Sequence, residues 1–102
     1  MEISIRAKLS HVKGEIVLSA ADSNLIGRNL RDGILHLEVK ESFYGEINVT
    51  EEFLRESMAI CTIGNFVGKK TIRIAVEMGV VDPDNIIKIE GVPHGQYAKM
   101  IR

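Results

Sequence analysis

The sequence is poor in the residues that brace small proteins or stack against nucleic-acid bases. It holds one cysteine, two prolines, no tryptophan, three phenylalanines and two tyrosines. A single cysteine, Cys61, excludes an internal disulfide. The few aromatic rings leave little material for a base-stacking platform. No apolar run approaches the roughly 18 residues that a membrane span requires. The amino-terminal stretch Met1-Glu2-Ile3-Ser4-Ile5-Arg6 lacks the apolar core of a signal peptide, so the expected compartment is the cytoplasm, with no membrane partner. A formal net charge of −1 supplies no global field toward nucleic acid, and any anion must be held by a local patch. His11, His36 and His94 stand at no metal-ligand spacing, and no nucleophile, base and orienting group occur at diagnostic separations. The sequence therefore assigns no catalytic residue, no metal and no cofactor.

What is present is an ordinary folded chain. Its 102 residues suit one domain spanning 1–102, and 45% hydrophobic with 26% charged residues argue against disorder, because that much apolar surface can offset chain entropy on burial. Residues 3 to 10 alternate strictly, with Ile3, Ile5, Ala7 and Leu9 on one side, and predict a half-buried strand. Residues 15 to 20 are nearly continuous in apolar character and predict a strand covered on both faces, paired with the first across a turn at 11 to 14. Asp22-Ser23-Asn24-Leu25-Ile26-Gly27 reads as a single helical turn capped by Asp22. Residues 34 to 39 predict a third strand, Phe43-Tyr44-Gly45 a loop, and 47 to 49 a short fourth strand. Thr50 caps a helix in which Phe53, Leu54, Ser57, Met58 and Cys61 recur at helical spacing, and Cys61 reads as a core residue. A second helix is expected from about Asn65 to Met78, ended by Gly79. Residues 86 to 89 and 96 to 101 predict closing strands separated by a loop over 90 to 95. The fold class expected is α+β: a mostly antiparallel sheet of five to six short strands with two consecutive helices packed on it.

Gly64-Asn65-Phe66-Val67-Gly68-Lys69-Lys70-Thr71 resembles a phosphate-binding loop but departs from it. Three residues separate the glycines where four are needed, and Lys70 stands where a hydroxyl should follow the lysine. What remains is a helix start whose free N–H groups, with Lys69 and Lys70 close by, would stabilise an anion. The bland alternative is that Gly64 and Gly68 let two helices pack closely while the lysines are solvated. A second cluster, Gly91-Val92-Pro93-His94-Gly95-Gln96-Tyr97, gathers imidazole, amide and phenol on one connection. Together these give the candidate ligand-binding set for an anion or RNA: Asn65, Gly68, Lys69, Lys70, His94, Gln96 and Tyr97. Phe53 and Phe66 lie within helical apolar patterns, which leaves Phe43, Tyr44 and Tyr97 as the rings open to exposure, and a core or loop-anchoring role is the expectation for each.

On the residues Asn65-Phe66-Val67-Gly68, Glu77-Met78-Gly79-Val80-Val81-Asp82-Pro83 and Ile89-Glu90-Gly91-Val92-Pro93-His94-Gly95-Gln96, with Leu25-Ile26-Gly27 and Phe43-Tyr44-Gly45, the chain resembles an archaeal family known as domain of unknown function 424. The resemblance covers nearly the whole chain and implies an archaeal cytosolic protein, with a loose association to translation and RNA. Three functional expectations follow. The first is a non-catalytic binding module for RNA or a ribonucleoprotein, contacting it through the helix start and the His94 loop. The second is a small anionic metabolite-binding protein or an enzyme using His94. The third is a structural homo-oligomer or subunit, such as a homodimer, that pairs through an exposed sheet edge or apolar face.

Overall fold

Side-chain alternation in the first two strands sets the frame of the molecule, whose computed structural model describes residues 3–99. Strand β1 (Ile5–Val12) turns through Lys13 and Gly14 into β2 (Glu15–Asp22), pairing Leu9 with Leu18 and Ala7 with Ala20. One face of this hairpin carries Ile5, Ala7, Leu9, Ile16, Leu18 and Ala20 into the main core. A 3-10 turn (Ser23–Leu25) leads to a small hairpin, β3 (Asn29–Asp32) and β4 (Leu35–Glu38), followed by the one-turn helix α1 (Glu41–Tyr44) and the short strand β5 (Asn48–Val49). Helix α2 (Glu51–Ile60) then precedes β6 (Ile63–Val67), α3 (Lys69–Glu77), a second 3-10 turn (Pro83–Asn85), β7 (Ile87–Ile89) and β8 (Val92–Ala98).

The six long-range strands form one sheet in the order β5-β1-β2-β6-β8-β7, in which only β2 and β6 run parallel. Helices α2 and α3 cover one face, burying Leu54, Met58, Ile72, Ile74 and Ala75 with Leu18, Ala20, Phe66 and Cys61. The β3–β4 hairpin and α1 cover part of the other, where Leu25, Leu30, Val39 and Tyr44 meet Ala21, Val67 and Ile89. The expected α+β architecture, a mostly antiparallel sheet with two helices on it, is therefore the observed one. Between the helices runs β6, which their sequence adjacency concealed.

Two boundaries differ from the sequence reading, each for a local reason. The helix expected from Asn65 begins at Lys69, and residues 63–67 are strand. Gly68 has φ +107, a conformation no helix interior accepts and one that favours glycine, so it separates the two elements. The expected loop at 90 to 95 is mostly strand. Glu90 and Gly91, at φ 53 and 78, make a two-residue hairpin turn that pairs Ile89 with Val92. The closing strand expected to 101 is seen to Ala98, and its positions 100 and 101 lie outside the described residues.

Thr50 caps α2 as expected, its Oγ1 accepting from Phe53 N at 3.0 Å. Phe53 itself is 42% exposed, so it is not the core residue its spacing suggested. Across the α2–α3 surface, Arg55 and Arg73 both bond Glu77, and Lys70, Arg73 and Arg55 surround Glu51. The Arg55 hydrogen bond to Glu77, with Arg73 beside it, holds the Glu77 carboxyl below its ordinary range.

Tyr44, read as a loop aromatic, is 2% exposed, and Phe43 stacks edge-on against it at 4.9 Å. Burial pushes its phenol up from 10.0 to about 12. In the unfolded chain the phenol ionises first, so the fold should lose stability as pH rises from 10 toward about 12. Urea denaturation at pH 8 and pH 11 checks this, and Tyr44→Phe should remove most of the difference between them. An equal alkaline loss in both proteins would exclude Tyr44 as its source.

Candidate functional site

The parallel pair β2–β6 ends in a divergence. After Asp22 the chain turns into Ser23–Leu25 and the layer containing Leu25 and Leu30, whereas after Val67 and Gly68 it enters α3 on the opposite face. Adjacent parallel strands whose continuations leave for opposite faces open a crevice beyond their carboxyl ends, the usual place for a ligand in sheets of this kind. A pocket of about 260 Å³ lies there, lined by Ile3, Asp22, Asn24, Leu25, Arg28, Gly68, Lys69, Val92 and Pro93.

Asp22 organises one wall. Its side chain was expected to cap the 3-10 turn that follows it, yet it makes no cap bond there. Its Oδ2 instead accepts from Lys70 N at 3.1 Å, and its Oδ1 accepts from Thr71 N at 2.9 Å and Thr71 Oγ1 at 2.8 Å. Asp22 is 3% exposed and Thr71 is fully buried. The carboxylate thus occupies the helix start that the sequence reading offered to an external anion, and its charge faces the positive end of the helix. Gly68 is required for this. A Cβ there would run into the Asp22 carboxyl group, so the glycine is a close-approach position for a carboxylate and not a helix-packing residue. A strand does precede this loop, contrary to the helical reading, but the place of a bound phosphate is taken by Asp22.

The candidate residues separate into three groups. Gly68 and Lys69 line the pocket. Lys70 points away from it, donating from Nζ to Ile3 O at 2.9 Å and facing Glu51 across 3.7 Å. Asn65 and Gln96 are cross-strand partners on the sheet face opposite the long helices, Gln96 Nε2 donating to Asn65 Oδ1 at 3.2 Å. They line a separate shallow depression of about 380 Å³ with Ile63, Gly64, Tyr97 and Ala98, and it shares no residue with the first pocket. His94, opposite Val67, shares the strand face of Asn65 and Gln96 and lines neither depression. The Tyr97 side chain packs with the main core on the helix-covered face, one strand position from Gln96 but on the other side. The helix start and the His94 connection do meet, Gly68 and Lys69 lining the first pocket with Val92 and Pro93, but Asn65, His94, Gln96 and Tyr97 lie outside it.

Sequence reading missed Asn24 and Arg28. Both are exposed, neither side chain makes a hydrogen bond or ion pair among the described residues, and both line the pocket. The signal was the polar Ser23 and Asn24, with Arg28 four positions on, directly past the end of a largely apolar strand. Among the described residues, no cluster of three His, Cys, Asp or Glu side chains could hold a metal ion.

Half-burial lowers the His94 imidazole below its ordinary value of 6.5, so at neutral pH it is uncharged and adds no cation to either depression.

Comparisons place the chain among known sequences and folds. A family model described as "Protein of unknown function (DUF424)" matches residues 10–100. A crystal structure of an uncharacterized conserved protein from Methanopyrus kandleri is similar over 96% of each chain, with 21% sequence identity and a TM-score of 0.74, a likeness of fold alone. No curated protein matches.

Asp22→Ala should cost about 2–4 kcal/mol, from a lost cap and three donors left without their acceptor. Gly68→Ala should destabilise through the same contact. Both are read by urea denaturation, and losses under about 0.5 kcal/mol, the size of an ordinary surface change, would deny Asp22 its organising role. For His94 the folded state binds the proton less readily than the unfolded chain, so its contribution is present above pH 6.5 and lost as pH falls below it. His94→Gln should reduce the stability difference between pH 7.5 and pH 5.5, and an unchanged difference would contradict the burial argument.

Proposed function

As this chain belongs to the DUF424 family, whose description names no activity, we propose from its geometry that it is a non-catalytic binding domain for a phosphate-bearing ligand. The observation that carries the reading is the pocket at the β2–β6 divergence, where Arg28 and Lys69 have no acidic partner among the described residues. Asp22 offsets them only in part, because it is one carboxylate against two cations and is held toward the amides and hydroxyl at the start of α3. An anion reaching the pocket meets Arg28 and Lys69, a net positive charge even with Asp22 in the wall, beside the aliphatic groups of Ile3, Leu25, Val92 and Pro93. The concavity excludes part of the solvent, which makes each charge-assisted bond stronger than on a convex surface.

RNA remains a source of such a phosphate, but support for an extended RNA surface is thin. No aromatic ring lines this pocket to stack a base. The residues expected to share the contact, His94 and Gln96, lie elsewhere on the sheet, and His94 is neutral at physiological pH. A small anionic ligand fits a crevice of about 260 Å³ better. A catalytic role for His94 finds no nucleophile or acid within the pocket's lining apart from Asp22, whose carboxylate is fixed in place by the start of α3.

Titration of ¹⁵N-labelled protein with inorganic phosphate should move the amide signals of Asn24, Arg28, Gly68 and Lys69. Arg28→Glu or Lys69→Glu should weaken binding about tenfold or more, the worth of one charge-assisted hydrogen bond. Shifts confined to other surfaces, or affinity unchanged by both reversals, would refute the reading.

A further inference from the structure

We infer that the ligand is a phosphorylated polyhydroxy compound of about the size of a pentose monophosphate, an inference that rests on the phosphate-binding reading above. The pocket offers two kinds of chemistry side by side. Arg28 and Lys69 supply charge for one phosphate. Asp22 and Asn24 supply groups for hydroxyls: the anionic Asp22 Oδ2 accepts a single bond, from Lys70 N at 3.1 Å, and the neutral Asn24 amide has no partner among the described residues. A carboxylate oxygen with acceptor capacity next to an amide that both donates and accepts is the complement of hydroxyl groups, which also do both.

Other phosphate classes fit less well. A diphosphate would set its second charge against Asp22, whose carboxylate cannot turn aside because both oxygens are held by the start of α3. A nucleobase would find no ring to stack on, since the wall is Ile3, Leu25, Val92 and Pro93. Those aliphatic groups match instead the C–H face of a sugar or polyol. The volume of about 260 Å³ also lies below the roughly 300–1,000 Å³ of pockets that enclose drug-sized ligands. It leaves space for a phosphate and a short hydroxylated carbon skeleton. Such a unit occurs both as a free sugar phosphate and as the terminal ribose phosphate of an oligonucleotide, and the chemistry recognised is the same.

Calorimetric titration of the full chain with inorganic phosphate, pyrophosphate, ribose, ribose 5-phosphate and a 5′-phosphorylated oligoribonucleotide separates these cases. The expected result is ribose 5-phosphate bound at least tenfold more tightly than inorganic phosphate, ribose alone bound weakly, and pyrophosphate gaining nothing over phosphate. Asn24→Leu, an exposed substitution whose folding is verified by thermal melting, should bring the ratio of ribose 5-phosphate affinity to inorganic phosphate affinity down to about one. Equal affinity for phosphate and ribose 5-phosphate, a pyrophosphate preference, or an advantage that survives Asn24→Leu would overturn the inference while the phosphate site stands. Failure of every phosphate compound to bind would overturn the parent reading as well. Tighter binding of the oligonucleotide than of ribose 5-phosphate, lost on removing its 5′-phosphate, supports a nucleic-acid end as the source, and the reverse order supports a free metabolite.

Discussion

The carboxylate of Asp22 joins the two halves of this molecule. It is the last residue of β2, the strand from which the chain departs into the β3–β4 layer, and it holds the first turn of α3, which covers the opposite face. Front and back layers are thereby referred to the same backbone position. A buried carboxylate is costly unless its oxygens are satisfied, and here two amides and a hydroxyl do so at 2.8 to 3.1 Å. Gly68 follows from this demand, because only the absence of a Cβ lets the helix start approach so closely. The same contact decides where an anion can go. With the helix amides engaged internally, external negative charge is left to Arg28 and Lys69 at the pocket's rim.

Much of the fold was legible because one face of each element had to be apolar. Alternation in residues 3–10 and the apolar run at 15–20 located β1 and β2, and Thr50 with its following carboxylates located α2 within one or two residues. Cys61 was correctly placed in the core. Legibility failed where periodicity was carried by a few residues only. Ile63, Phe66 and Val67 satisfy a helical pattern and a strand pattern equally over so short a span, and the parallel partner that selects strand, β2, lies some 45 positions earlier. The four residues of β3 and the single turn of α1 carry too little pattern to be seen, yet they bury Leu30 and Tyr44 completely enough to anchor the second layer.

The candidate site was legible in composition more than in geometry. Lys69 and Gly68 belong to the pocket, but their neighbours in sequence do not. In a strand, adjacent residues face opposite ways, so Gln96 and Tyr97 are parted by the sheet itself. The same holds for the start of a helix, where Lys69 lines the pocket while Lys70 swings toward Glu51 and the Ile3 carbonyl. Arg28 and Asn24 could not be joined to Lys69 by inspection, because only the β2–β6 pairing brings segments forty residues apart to one end of the sheet. Parity and long-range register are tertiary information that local spacing does not contain.

Why an unpaired cation should matter at this place and not at others is a question of shape. Among the described residues Lys88 and Lys99 are also exposed, but neither lines the pocket or the depression beside Asn65 and Gln96. Cations nearer the α2–α3 seam are engaged: Arg55 and Arg73 bond Glu77, and Lys70 faces Glu51. On a convex surface such charges are screened by water and ions, and their attraction for a ligand is small. Arg28 and Lys69 differ in standing over aliphatic side chains at a crevice, where part of the solvent is displaced and a ligand can touch both. The crevice exists because β2 and β6 run parallel and their continuations part to opposite faces, so the topology that made this chain hard to read is also what gives it a place to bind.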